Sequence, residues 1–127
     1  MREITNAERL DRLEHAERFL RGWKKYTQYC VKPVTRFDIA AYYKECGTAA
    51  CAAGGMMLHP WFIKRGFSLR SIRGVFNTFG VCAKFFGVSQ AEAAECFSPG
   101  AYDDRVTPAD VADKIHALIV KYREVEA

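Results

Sequence analysis

Thr5-Asn6-Ala7-Glu8 opens a stretch that runs to Trp23 and indicates how the chain folds. A Thr followed three residues later by Glu is a capping box, in which each side chain bonds a backbone N–H at the other residue. Apolar residues then recur at steps of three and four: Leu10, Leu13, Ala16, Leu20 and Trp23. This spacing predicts an amphipathic helix with one buried stripe, which Phe19 widens.

The second half of the chain repeats these signals. Ser89-Gln90-Ala91-Glu92 is another capping box and predicts a helix to about Phe97, before Ser98-Pro99-Gly100. Thr107-Pro108-Ala109-Asp110 predicts the start of a longer last helix. The inner stripe of that helix consists of Val111, Ile115, Leu118, Ile119 and Tyr122.

Weaker signals predict the elements in between. Ala-rich sequence favours a helix over Ala49–Leu58 with Thr48 as its N-cap, and Pro60 suits the first position of a helix over Trp61–Arg65. A further helix is predicted over Thr78–Phe86. Helical periodicity is lost from Tyr26 to Tyr43, which indicates a long connection with short extended pieces at most. We therefore predict an all-α fold: one compact domain over residues 1–127, with five or six short helices and a long N-terminal connection.

Composition limits the class of protein. The chain has 127 residues, half of them apolar, which suits one domain with its own core. The longest apolar run, Ala49–Leu58, is too short to span a bilayer, and the N-terminus has no apolar leader. Five cysteines are an odd number in a chain of this size, so we expect reduced thiols. These features predict a soluble cytoplasmic protein without a membrane partner.

Charge is distributed unevenly along the chain. Residues 46–91 contain five Lys and Arg and no acid, whereas residues 92–127 contain four cations and eight acids. An anionic partner would therefore dock on the middle of the chain. The predicted docking residues are Trp61, Phe62, Lys64, Arg65, Arg70 and Arg73, with Gly54 and Gly55 giving a ligand or another backbone close access.

Two alternatives to this docking surface stay open. The phenylalanines could form core while the cations face solvent. The acidic C-terminal region also offers internal partners for the cations, namely Asp103, Asp104, Asp110 and Asp113.

The cysteines suggest two kinds of chemistry. Cys46, Cys51 and His59 have the spacing C-x4-C-x7-H, which lacks the paired knuckles of structural zinc sites, so we expect no metal. Cys51 near the start of a helix, with His59 as base, is a candidate nucleophile. Buried, inert thiols are the more frequent case, and no common enzyme motif is present. We expect no cofactor.

Three groups of residues resemble a known family. They are the block from Cys46 to Gly54, the string His59-Pro60-Trp61-Phe62, and the junction Phe85-Phe86-Gly87-Val88-Ser89. Together they resemble a family of small proteins common in bacteriophages and their bacterial hosts, over roughly residues 37–122. Members often place His or an aromatic residue after the last glycine of the block, where this chain has Gly55. The resemblance implies an all-α fold and a phage origin, and it implies no reaction.

The functional hypothesis is a small non-catalytic binding protein. It would be a phage-encoded accessory protein of the host-takeover or anti-defence type, acting in the host cytoplasm. A homo-oligomer is compatible with this hypothesis. The protein's partner would be a host protein or a phosphate-bearing ligand such as nucleic acid, bound through residues 59–76. The alternatives are a thiol enzyme using Cys51 with His59, and a binder of small nucleotides in which Arg70 or Arg73 grips the phosphates beside Gly54 and Gly55.

Overall fold

The computed structural model describes residues 4–32, 34, 36–37, 49–67, 78–103 and 105–125. It confirms the all-α prediction. The α-helices of the described part are α1 Asn6–Arg21, α2 Trp23–Tyr26, α3 Ala52–Leu58, α4 Pro60–Lys64, α5 Thr78–Phe86, α6 Gln90–Phe97 and α7 Pro108–Glu124. Short 3₁₀ turns cover Thr27–Tyr29 and Pro99–Ala101, and two strands, β1 Arg36–Phe37 and β2 Ala49–Ala50, form one short parallel pair.

The predicted capping signals begin three helices. Thr5 and Glu8 form a capping box at α1, and Ser89 and Glu92 form one at α6. At α7, the backbone N–H of Asp110 donates to the hydroxyl of Thr107, and the backbone N–H of Thr107 donates to the carboxylate of Asp110. Pro108 follows as the first helical residue. Each box satisfies backbone N–H groups that have no partner within the helix. Local sequence therefore fixes where these helices start.

The core lies between α1 and α7, with the other helices closing its ends. Leu13, Ala16 and Leu20 of α1 are buried, as are Val111, Ile115 and Ile119 of α7. These are the residues that the apolar stripes predict, and the two helices pack along each other. The rest of the core comes from α3 to α6 and the turn after α4: its aromatic residues include Phe62, Phe67, Phe85 and Phe86, and α3 adds Met56 and Met57.

The start of α3 corrects one prediction. Ala49 and Ala50 are extended and pair with Arg36 and Phe37, so the helix begins at Ala52. Its N-cap is Cys51, whose Sγ accepts a hydrogen bond from the backbone N–H of Gly54 at 3.3 Å. Thr48, the predicted cap, lies outside the described residues. Pairing with a distant strand has overridden the helix propensity of the two alanines.

The predicted long connection is also more structured than its sequence suggests. Tyr26, where the predicted connection begins, is the last residue of α2, and a 3₁₀ turn over Thr27–Tyr29 follows it. Thr27 Oγ1 holds this turn by donating to the carbonyl oxygen of Trp23 at 2.6 Å. Arg36–Phe37 is one of the expected extended pieces. Most of the later part of this connection lies outside the described residues. In the part of the chain that is described, no helix has the length and apolar character needed to cross a membrane.

Candidate functional site

The structure places some of the predicted docking residues inside the core. Gly54 and Gly55 are buried in α3, and Phe62 is 1% exposed. A Cβ atom added to Gly55 would lie 2.7 Å from the ring of Trp23. The space that glycine leaves is therefore filled by the chain's own tryptophan. The prediction that these glycines admit a ligand, and that Phe62 faces a partner, is wrong because all three residues pack internally.

Cys51 and His59 do not form a pair. They cap opposite ends of α3, with Cys51 at the N-terminus and His59 at the C-terminus. The seven residues of α3 lie between them, so a rise on the order of 12 Å along the helix axis separates the two. This is too far for a hydrogen bond or for a shared metal ion. Among the described residues no group of three or more His, Cys, Asp or Glu could hold a metal, and Cys46 lies outside them.

The thiols of Cys30, Cys82 and Cys96 are poor nucleophiles. Burial raises the pKa of Cys30 to about 11 and that of Cys96 to about 12, and it raises the pKa of Cys82 further. A thiol with a raised pKa stays protonated at neutral pH and reacts slowly. The environment of these three cysteines therefore suits packing better than thiol chemistry.

Trp61 is held from two sides by charged or polar groups. The imidazole of His15 stacks on its indole, with ring centroids 3.8 Å apart and planes 12° from parallel. The guanidinium carbon of Arg65 lies 3.7 Å from the ring centroid, and Nη1 of Arg65 donates to the carbonyl oxygen of Trp61 at 2.9 Å. These contacts fix both the indole and the guanidinium in place.

A cleft of about 190 Å³ opens beside Trp61, where α1, α2 and α4 meet. Its lining residues come from these helices and the junction before α4: His15, Arg18, Phe19, Tyr26, His59, Trp61 and Phe62. The lining therefore combines aromatic rings with two imidazoles and one guanidinium, and it contains no carboxylate. We call this space the aromatic cleft.

His59 offers a hydrogen-bond donor to the aromatic cleft. It caps α4, because its Nδ1 accepts a hydrogen bond from the backbone N–H of Trp61 at 3.3 Å. Burial lowers the pKa of His59, so the imidazole is neutral and its hydrogen resides on Nε2. Within the described residues this Nε2–H has no hydrogen-bond partner. An acceptor entering the cleft would satisfy it.

Three exposed cations lie in the cleft lining or on its aromatic residues, and we call them the cationic rim. Arg18 lines the cleft, Lys25 lies 5.4 Å from the ring of Tyr26, and Arg65 lies on Trp61. In the described part of the chain none of the three forms an ion pair with a carboxylate. Lys64 is exposed on the same helix as Trp61, whereas Arg70 and Arg73 lie outside the described residues.

Arg21 of α1 and the three cations of α7 form ion pairs with carboxylates, whereas Arg9 and Arg12 of α1 donate to backbone carbonyl oxygens. Ion pairs link α1, α6 and α7: Arg21–Asp113, Arg123–Glu14, Lys114–Glu95 and Lys121–Glu92. We call this set the charge-paired seam.

The acids of the C-terminal region have partners other than the predicted ones. Asp113 binds Arg21 of α1 at 2.9 Å. Asp110 serves the cap of α7, and Oδ1 of Asp103 accepts a hydrogen bond from the backbone N–H of Arg105. Asp104 lies outside the described residues. The alternative in which these acids neutralise the basic middle is therefore wrong for Asp103, Asp110 and Asp113 with respect to Lys64 and Arg65.

Five residues of the aromatic cleft and cationic rim were not predicted as site residues: His15, Arg18, Phe19, Lys25 and Tyr26. The spacing of His15 and Arg18 places them on one face of α1, beside the apolar stripe. Nothing in the sequence indicates that this face meets α4, since residues 15 and 61 are brought together only by packing of the core. These residues could therefore be identified only from the tertiary packing of α1 against α4.

No protein-family model, curated protein or solved structure matches this chain. The candidate site consequently rests on the chain's own geometry, and the resemblance to phage proteins stays a prediction.

Proposed function

We propose that the protein is a small non-catalytic binding protein that engages a phosphate-bearing partner through the cationic rim and the aromatic cleft. The observation that supports this best is the contrast in pairing. Arg18, Lys25 and Arg65 lie in the cleft lining or on its aromatic residues without a carboxylate partner in the described part of the chain, while the cations of the charge-paired seam are neutralised. Three exposed cations close together without carboxylate partners in the described part of the chain leave positive potential at this surface.

Phosphate is the anion that this surface suits. Guanidinium groups bind phosphate oxygens through two parallel hydrogen bonds, and clusters of exposed Arg and Lys gain affinity by releasing counterions from a polyanion. Aromatic side chains between such cations are typical of surfaces that bind single-stranded nucleic acid. Tyr26 occupies that position here, between Lys25 and the cleft. On the resemblance to phage proteins, the partner would be a phosphate-bearing component of the host cytoplasm.

A hydrophobic protein interface centred on Trp61 and Phe62 has less support. Phe62 is buried, and the indole of Trp61 is already contacted by His15 and Arg65. A thiol enzyme is not supported, because Cys51 and His59 lie at opposite ends of α3. A nucleotide site beside the glycines is not supported either, because Gly55 packs on Trp23. Binding through charge is what the described residues favour.

The test is binding to a fifteen-nucleotide oligothymidylate, measured by fluorescence anisotropy at several salt concentrations. Neutralising three phosphates should give a slope of roughly −2 in log affinity against log salt, or about a twentyfold loss between 50 and 200 mM. The double variant Arg18→Glu/Arg65→Glu should abolish binding.

The matched control is Lys84→Glu/Arg105→Glu, which makes the same change in net charge at two exposed cations outside the cleft lining. It should retain most of the affinity. Equal losses in both double variants would mean that only net charge matters, and absence of binding at 50 mM salt would reject the proposal.

A further inference from the structure

We infer that the aromatic cleft takes a single aromatic ring that carries an anionic group, with the ring inside the cleft and the anion at Arg18 and the Nε2–H of His59. This inference rests on the proposed function and deepens it, because it specifies what part of the partner enters the molecule. The proposed surface alone would require only phosphates at the rim.

The size of the cleft sets the size of the group. Its volume is about 190 Å³, whereas a cavity of roughly 150 Å³ is enough for one benzene ring. Sites that enclose drug-sized ligands measure about 300 Å³ or more. One ring with a small substituent therefore fits, while a whole nucleotide would have to leave its remaining groups outside, beside the cationic rim.

The polar groups of the cleft select an anion. His59 presents a donor at Nε2, since its Nδ1 is engaged by the backbone N–H of Trp61. Arg18 adds a guanidinium, and no carboxylate lines the space. A neutral ring without an acceptor would leave the imidazole N–H buried and unpaired, which is costly. A cationic ring would be repelled by Arg18.

The walls of the cleft are already in place. The rings of Phe19 and His59 meet edge to face at 5.3 Å, and the same arrangement joins His59 to Tyr26 at 6.4 Å. On the other side, His15 and Arg65 hold the indole of Trp61. Because these side chains are fixed by one another, binding a flat group between them costs little additional conformational entropy.

The experiment compares three probes by isothermal titration calorimetry at pH 7.5: phenyl phosphate, inorganic phosphate and benzyl alcohol. Phenyl phosphate has both the ring and the charge, and each of the other two lacks one of them. We expect phenyl phosphate to bind at least tenfold more tightly than either. Equal affinity for phenyl phosphate and inorganic phosphate would overturn the inference, because the ring would then contribute nothing.

Two variants locate the bound group, and circular dichroism verifies their fold. Arg18→Gln removes an exposed positive charge. His59→Asn removes the imidazole Nε2–H donor and keeps a residue type that is favoured as an N-cap. Each should weaken phenyl phosphate binding about fivefold or more. Lys84→Gln is the control and should leave the affinity unchanged. Unaltered affinity in both cleft variants would place the probe elsewhere on the protein and contradict the inference.

Competition with the oligothymidylate separates two sources of the ring, a base of a nucleic acid and a free aromatic acid. If a base occupies the cleft, phenyl phosphate should displace the oligonucleotide; if the natural ligand is a free aromatic acid, both should bind together. Oligonucleotide binding that depends on the rim, without any binding of phenyl phosphate, would overturn this inference and leave the proposed function intact. Binding of phenyl phosphate alone would support the cleft and overturn the proposed function.

Discussion

The two sides of α1 (Asn6–Arg21) differ in whether their cations are paired with carboxylates. On the side that faces α6 and α7, the charge-paired seam joins cations to carboxylates, as in Arg21–Asp113 and Arg123–Glu14. On the side that faces α2 and α4, Arg18 and its neighbours Lys25 and Arg65 have no carboxylate partner among the described residues. One side of α1 therefore forms ion pairs with neighbouring helices, and the other side presents a positive potential to solvent.

This difference separates structural residues from candidate binding residues. A cation that is paired with a carboxylate helps to hold two helices together. Because the carboxylate cancels much of its positive potential, it attracts an anionic ligand only weakly. An exposed cation without such a partner contributes little to folding. Substitutions on the two sides should therefore affect different measurements, with stability changing at the seam and binding changing at the cleft.

The largest loss of stability is expected where α7 packs on α1. Ile115 is 0% exposed, and Ile115→Ala removes buried apolar atoms and leaves a cavity. The free energy of unfolding should fall by about 2–5 kcal/mol, measured by urea denaturation. Val120 lies on the same helix but is 44% exposed, so Val120→Ala should cost less than about 0.5 kcal/mol. Similar losses in the two variants would show that α7 does not bury its inner face.

The next effect concerns acid stability at the charge-paired seam. Burial alone would raise the pKa of Glu92, but hydrogen bonds from Lys121, Tyr122 and the backbone of Ser89 lower it to about 2. Because the folded pKa lies below the ordinary value of 4.5, the stabilisation is complete above pH 4.5 and is lost as the pH falls towards 2. We expect on the order of 2–3 kcal/mol to be lost over this range.

The variant Glu92→Gln should remove most of this pH dependence and lower stability at pH 7, as measured by urea denaturation between pH 2 and 7. Glu95→Gln is the control, because the side chain of Glu95 binds Lys114 at 3.1 Å but is 72% exposed. It should leave the pH profile nearly unchanged. If wild type and Glu92→Gln lose stability in parallel on acidification, Glu92 is not the group responsible.

The smallest effect compares two arginines of α1 three residues apart. Arg21 donates to Glu17 and to Asp113, at 2.9 Å in each case. Arg21→Gln should therefore cost about 0.2–1 kcal/mol, the range for exposed ion pairs. Arg18→Gln should cost less, while lowering affinity for the anionic probe. A greater loss of stability for Arg18→Gln than for Arg21→Gln, both by urea denaturation, would show that Arg18 has an internal partner.

The framework of the fold could be predicted because its signals are local. The capping boxes at Thr5 and Ser89 and the apolar stripe through Ile115 operate within one helix, and the structure reproduces them. The cap of α3 could not be predicted, since Thr is a favoured N-cap and Cys is not. Pairing of β2 with β1 decides that boundary, and such pairing depends on residues far away in the sequence.

The candidate site was predictable only in part for the same reason. Trp61 and Arg65 are neighbours on α4, and their shared role follows from sequence. The contributions of His15 and Arg18 depend on how α1 packs against α4. Gly55 was wrongly predicted to admit a ligand. A glycine indicates that another group packs closely against the backbone, but it does not identify that group. In this fold the approaching group is Trp23.

The central claim is that an anion binds on the side of α1 where Arg18 has no carboxylate partner in the described part of the chain. Its most direct test is an ¹⁵N–¹H correlation spectrum recorded while the oligothymidylate is added at 50 mM salt. We predict that the largest shift changes occur at Arg18, Tyr26, His59, Trp61 and Arg65, including the indole N–H of Trp61. Amides of the charge-paired seam, such as Glu14, Glu95 and Lys114, should hardly move. Largest changes at the seam, or at Lys84 and Arg105, would contradict the account.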